Sequence, residues 1–178
     1  MKKLLTAAQI AQVLGQMLEK ILPDVPKDKN FAVIGIRSRG EILAQRLSTA
    51  LSKKVGWEIP CGTLDISLYR DDFNTPQAAA QVKVQTTEIP FSIDRKFILL
   101  VDDVLHTGRS VRAAMDALTD LGRPKKVRLA VLIDRGNQEL PIRADYVGIC
   151  TDVPLEQFVK VYLTESDGKE EVVVEKSS

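Results

Sequence analysis

The chain has 178 residues, enough for one ordinary domain with a real core, and its 44% apolar and 28% charged content is that of a soluble globular protein. A net charge of +1 excludes a global field drawing the chain to nucleic acid or membrane, so any basic patch must be local. Cys61 and Cys150 lie far apart and make neither a disulfide framework nor a metal spacing, as expected of inert thiols in a reducing cytosol.

Met1-Lys2-Lys3-Leu4-Leu5 has the look of a signal-peptide start, but Gln9, Gln12, Gln16 and Glu19 interrupt any apolar segment after it. Ile10, Val13, Leu14, Met17, Leu18, Ile21 and Leu22 instead recur at helical spacing, and Thr6 with Gln9 has the form of a capping box. The spacing predicts an amphipathic helix over 6–22. No run reaches membrane-spanning length. A polar connector from Pro23 to Asn30 precedes Phe31-Ala32-Val33-Ile34-Gly35-Ile36, which reads as a strand buried on both faces, and Glu41 to Leu51 reads as a helix. Between them Arg37-Ser38-Arg39-Gly40 forms a basic turn. Guanidinium and open backbone N–H groups both donate to phosphate oxygens there, although a solvated basic turn has the same composition.

Leu64, Ile66 and Leu68 alternate with Asp65, Ser67 and Tyr69, the pattern of a half-exposed strand. Residues 73–81 have neither period and Val82-Lys83-Val84-Gln85 alternates again, so 64–85 reads as a long hairpin with a mobile tip. Phe97-Ile98-Leu99-Leu100-Val101 is the next buried strand, and Asp102 and Asp103 follow it directly. The carboxyl ends of parallel strands are where such sheets present their ligand crevice. Thr107, Gly108 and Ser110 then open an amphipathic run, Val111 to Leu118, and a small-residue loop at a helix start suits a phosphate. Together the acid pair and the phosphate cradle favour a phosphorylated sugar. An Asp pair before Thr-Gly alone would fit an N-cap and tight turn equally well. No Gly-x-x-x-x-Gly-Lys or Gly-x-Gly-x-x-Gly occurs, which argues against P-loop and dinucleotide sites.

Leu121-Gly122-Arg123-Pro124 reads as a helix stop, and Val127 to Ile133 as a buried strand ending in Asp134-Arg135-Gly136. Leu140 to Gly148 follows as a loop feeding a short strand. Val159 to Leu163 and Val172 to Val174 complete a terminal hairpin over 159–174.

The whole string Val101-Asp102-Asp103-Val104-Leu105-His106-Thr107-Gly108-Arg109-Ser110 resembles the motif that binds phosphoribosyl pyrophosphate (PRPP) in type I phosphoribosyltransferases. Arg37-Ser38-Arg39-Gly40 resembles the pyrophosphate loop of the same enzymes. Three segments resemble the PyrR family in particular: Gly62 to Asp72, the PRPP stretch through Leu118, and Gly122-Arg123-Pro124 with Asp134-Arg135-Gly136 to Gly148. PyrR proteins are uracil phosphoribosyltransferases that also bind the leader of their own messenger RNA.

The resemblance implies an α/β type I phosphoribosyltransferase fold over 1–178, a central mostly parallel sheet flanked by helices with a flexible hairpin over the active site. It implies a cytoplasmic homodimer or higher homo-oligomer that makes UMP and pyrophosphate from uracil and PRPP. Asp102 and Asp103 would hold the ribose hydroxyls, with Val104, Leu105, Thr107, Gly108, Arg109 and Ser110 around PRPP and its 5′-phosphate. Ser38, Arg39 and Gly40, with Arg70 at the hairpin hinge, would take the pyrophosphate, and a non-proline cis bond is expected near Arg37-Ser38. Arg135, Tyr146 and Val147 are the base-site candidates, though a single Tyr in a strand also fits a core. Mg²⁺ would arrive on substrate oxygens, since the chain has no Cys/His cluster to hold it.

Two departures matter. His106, the chain's single histidine, stands where PyrR proteins carry Tyr, and would either receive a proton from the base or cap the loop. Asn137-Gln138 replace the His-Arg pair of RNA-binding members, and Gly15 and Gln16 occupy the polar helix face where those members are basic. Arg123, Lys125, Lys126 and Arg128 form either an alternative patch or a solvated surface. Two other activities stay open: a non-catalytic, nucleotide-sensing RNA regulator, and a purine or orotate phosphoribosyltransferase.

Overall fold

The computed structural model describes residues 2–71 and 86–176; the expected hairpin tip over 73–81 and the returning strand Val82 to Gln85 lie outside them. Five strands form a parallel sheet in the order β3-β2-β4-β5-β6. They are β2 (Phe31–Ile36), β3 (Cys61–Leu64), β4 (Phe97–Leu105), β5 (Lys126–Asp134) and β6 (Tyr146–Cys150). The alternation of β4 explains its central place. Leu99 and Val101 enter the core on one face, and Ile98 and Leu100 enter the core on the other, all of them buried.

Helices α1 (Ala7–Ile21) and α2 (Arg39–Val55) pack on the first face and α3 (Arg109–Leu121) on the second. The Thr6–Gln9 capping box forms as expected: Thr6 N donates to Gln9 Oε1 at 2.9 Å, and Gln9 N to Thr6 Oγ1 at 3.4 Å. Such a cap contributes about 1 kcal/mol. α2 begins two residues before the predicted helix and runs to Val55, where Gly56 at φ 76° ends it in the left-handed conformation.

Two expectations need correcting, and one strand was not foreseen. The strand predicted across Leu64 to Leu68 stops at Leu64; Leu68 is exposed in a turn, because the next paired segment returns at Glu88, which bridges Thr63 antiparallel. The helix predicted over 6–22 spans Ala7–Ile21, and Pro23 converts its end into one 3₁₀ turn, Leu22–Asp24. The segment before that helix, for which no element was predicted, is a strand. Lys2–Thr6 form β1, which pairs antiparallel with β8 (Glu171–Lys176), and β8 pairs with β7 (Gln157–Tyr162) in a separate three-stranded sheet. A four-residue helix, α4 (Thr164–Asp167), joins β7 to β8.

Two arginines of α2 tie this second sheet to the first. Arg46 binds Glu165 and Glu170 at 2.7 Å each, and Arg39 binds Asp167 at 2.8 Å.

Candidate active site

The acid pair sits where β4 leaves the core. Asp102 is buried, its Oδ1 accepting Asp103 N at 2.9 Å, and Asp103 Oδ1 accepts Val104 N at 2.9 Å. Burial first, and the neighbouring Asp103 carboxylate second, push the Asp102 pKa well above the usual range. The start of α2 closes on this strand end. A Cβ on Gly40 would stand 2.6 Å from the Val101 carbonyl oxygen and 3.4 Å from Asp102 Oδ1, so only glycine allows the approach. The Arg37–Ser38 peptide just before it is cis, as the resemblance implied.

Gly108, at φ 91°, is the residue from which α3 starts. It turns the chain into α3, whose first residues Arg109 and Ser110 line the same cavity as Asp102, and a helix start leaves donors for an anion. Arg109 N donates to Thr107 Oγ1 at 3.3 Å, and the Thr107 carbonyl accepts Glu139 N at 2.9 Å. A cavity of about 450 Å³ results, lined by Asp102, Val104 to Val111, Arg70, Glu139 and Phe158. Larger concavities run along α2 (about 620 Å³) and at the opposite pole (about 700 Å³), but neither contains the acid pair.

The structure therefore brings Asp102, His106, the 104–110 stretch and Arg70 to one cavity. Leu105 contributes backbone alone, since its side chain is buried against α3. Asp103 and Arg39 line an adjoining cavity of about 310 Å³ with Lys160 and Tyr162. Ser38 is exposed at the start of α2, and Gly40 lies behind it. Arg37 is occupied elsewhere, donating to the Thr86 carbonyl at 2.9 Å and pairing with Glu41 at 3.2 Å. The Arg109 side chain bridges Asp71 and Glu139, at 2.8 Å each, across the cavity mouth.

The base-site candidates are not brought there. Tyr146 opens the edge strand β6, two places from β4 in the sheet, and is buried in the first core with its hydroxyl donating to Asp24. Its neighbour Val147 packs into the second core. Arg135 is fully buried, and its guanidinium donates to the carbonyls of Gln157, Val153 and Pro154 at 3.0, 3.1 and 3.2 Å. It thus positions the loop that presents Phe158. Phe158, 48% exposed, is the aromatic at the cavity, and sequence reasoning missed it. One signal was there: Phe158 shares the outward face of β7 with Lys160, an aromatic on a polar face.

His106 lines the cavity with its Nε2 buried and without a hydrogen-bond partner. Burial first, then the charge of Arg135, lowers its pKa below the ordinary histidine value, so the ring is neutral at neutral pH.

Known proteins place this site in a lineage. Residues 1–166 match the family model of the phosphoribosyl transferase domain. The bifunctional protein PyrR of Deinococcus deserti is 47% identical over 95% of this chain and 91% of its own length, and that of Pelotomaculum thermopropionicum is 49% identical over 93% and 90%. Among solved structures, the hypoxanthine phosphoribosyltransferase of Trypanosoma cruzi aligns over 100% of this chain and 98% of its own with a TM-score of 0.71; at 18% identity the likeness is one of fold. With the acid pair, the helix-start turn and these relatives in agreement, the chain belongs to the phosphoribosyltransferase family, among the bifunctional PyrR proteins.

Proposed function

We propose that this phosphoribosyltransferase joins uracil to the ribose of PRPP, giving UMP and pyrophosphate, and that it also attenuates pyrimidine genes by binding a messenger RNA leader. One observation carries the enzymatic half: the buried acid at the end of β4 and the helix-start turn behind it face a single 450 Å³ cavity. A ribose 5-phosphate spans those two features, hydroxyls on the carboxylates and phosphate on the amides of Gly108 to Ser110.

In the reaction the bond from the anomeric carbon to the pyrophosphate oxygen breaks and a bond to uracil N1 forms. The transition state is oxocarbenium-like, so positioning and charge stabilisation matter more than a strong base. Asp102 and Asp103 hold the ring and respond to its developing positive charge. Arg39 and Arg70 sit where the leaving pyrophosphate emerges, one beside Asp103 and the other beside Asp102. Phe158 offers a face for the base to stack on. His106, a neutral imidazole lining the same cavity, is the candidate acceptor for the N1 proton.

Asp103, half-buried and lining a cavity with Arg39, suits a Mg²⁺ carried on PRPP oxygens. When bound, that ion neutralises pyrophosphate charge.

Turnover of radiolabelled uracil with PRPP and Mg²⁺, competed with guanine and orotate, tests the reading. Uracil is expected to be the base consumed, and preferential loss of signal to guanine or orotate would overturn that choice.

A further inference from the structure

Beyond β3 the chain does not run on into the expected strand but folds back onto α3. Asp65 Oδ1 accepts Ser67 N at 3.0 Å and Tyr69 N donates to the Ile66 carbonyl at 2.9 Å, two consecutive turns that seat Ile66 and Tyr69 against the second core. One stripe of α3, formed by Arg109, Arg112, Asp116 and Asp120 at helical spacing, receives the segment. Tyr69 Oη donates to Asp120 at 2.7 Å, and Arg112 donates to the Tyr69 carbonyl at 3.3 Å. The Asp71 carboxylate lies between Arg109 at 2.8 Å and Arg112 at 3.4 Å.

Two arginines so near the start of a helix lie against its positive dipole end, and no acidic residue of the first turn offsets them. Their charge is balanced further along the helix and from outside it. Glu139 takes one side of Arg109 and Asp116 one side of Arg112, each at 2.8 Å, while Asp71 faces both. The Asp71 side chain is 38% exposed, yet its Oδ1 is buried without a hydrogen-bond partner, so the carboxylate is placed by its arginines more than by water. Its neighbour Arg70 lines the cavity with Asp102, where its positive charge opposes the rise in the Asp102 pKa.

We propose that Asp71 is a positioning residue for PRPP: held by Arg109 and Arg112, it fixes the adjacent Arg70 at the pyrophosphate end of the cavity. The inference rests on the uracil transfer proposed above and adds to it a residue that need not touch substrate. Arg109 is divided between two tasks. Its backbone N–H belongs to the phosphate turn, while its guanidinium is a strut between Asp71 and Glu139. The start of α3 thereby serves both anion subsites, one through its own amides and the other through Asp71 to Arg70. Adjacency in the chain gives the strut its reach: consecutive Cα atoms stand about 3.8 Å apart, so whatever fixes the Asp71 backbone limits where Arg70 can go. A merely solvated ion-pair network would leave PRPP binding untouched when broken.

The test is a double-mutant cycle read in the steady-state kinetics of uracil transfer with PRPP and Mg²⁺, beside UMP binding by calorimetry. Asp71→Asn should raise the KM for PRPP about fivefold, the scale of half-exposed ion pairs, with kcat changed by less than about twofold. Its Kd for UMP, which fills the phosphate turn but carries no pyrophosphate, should stay parental; this also shows that the variant is folded. Arg70→Gln should raise the same KM by roughly tenfold or more, through loss of a charged donor. Asp71→Asn added to Arg70→Gln should then raise it no further, because Asp71 acts through Arg70. Additive effects of the two substitutions, a parental KM in Asp71→Asn, or a UMP Kd raised in step with that KM each overturn the positioning role and leave uracil transfer standing. Absence of uracil turnover by the parent chain overturns the reading on which both depend.

Discussion

Asp102 is held at a cost that its environment makes visible. Its carboxyl is buried beside a second acid, and folding raises its pKa. A raised pKa means the folded state grips the proton more tightly than the unfolded chain does. That contribution to stability is full below the ordinary aspartate value of about 3.9 and is lost as pH rises through the folded value. The ligand-free protein is therefore stabilised at low pH relative to neutral by this group. Asp102→Asn, which keeps the oxygen that accepts Asp103 N, should stabilise the ligand-free chain by about 1 kcal/mol at neutral pH and abolish most turnover. Thermal melts of both proteins from neutral to acid pH check this, with the difference shrinking as pH falls. His106 makes a second case. Its lowered pKa predicts that kcat falls only at pH below the ordinary histidine range, as the ring charges and can no longer accept a proton. His106→Ala should remove that acid limb and lower kcat at neutral pH by about 100-fold. An unchanged pH profile would leave the ring a loop cap. The acids and the helix-start turn could be read from sequence because they are neighbours in it. Tyr146 could not, because the Asp24 carboxylate that claims its hydroxyl is 122 residues away.

At the level of elements, periodicity served where burial is one-sided and local. It found α1, α2 and α3 because each lays an apolar stripe on the sheet. β1 was invisible to the same argument: five residues, one of them buried, whose pairing partner lies at the far end of the chain. The contact between the two sheets was equally hidden, since it is made by polar residues. Arg46 reaches from α2 to Glu165 and Glu170, and those hydrogen bonds hold both carboxyl pKa values below the usual range. Carboxyls with depressed folded values contribute stability above their unfolded pKa and lose it as pH falls through the folded one. With Glu165 half exposed and screened by solvent, Arg46→Met should then cost about 1 kcal/mol at pH 7 and make the chain less sensitive to acid below about pH 4. Urea melts at the two pH values measure both effects. Because Arg39 and Arg46 share this task, the variant should also raise the KM for PRPP more than it lowers kcat.

Taken as one molecule, the protein builds its cavity from two sheets that the sequence does not announce as partners. Strand order β3-β2-β4-β5-β6 depends on which parallel strands find each other, and neither the apolar runs nor the short half-buried β3 encode that individually. The parallel sheet supplies the acids and the phosphate turn, and the antiparallel one supplies Phe158. Arg135 couples them, since its buried guanidinium at the end of β5 grips the carbonyls of 153–157. A ligand that touches both sides should consequently stiffen both. UMP at 100 times its Kd should raise stability by about 2.7 kcal/mol, a Tm increase of roughly 5–10 °C for a chain of this size. Hydrogen exchange should localise the gain, slowing amides of 106–110 and of 153–158 together while those of β2, already buried on every side, stay as they were. Protection confined to 106–110 would mean that the nucleotide sits on the phosphate turn without reaching Phe158, and the base would then need another wall.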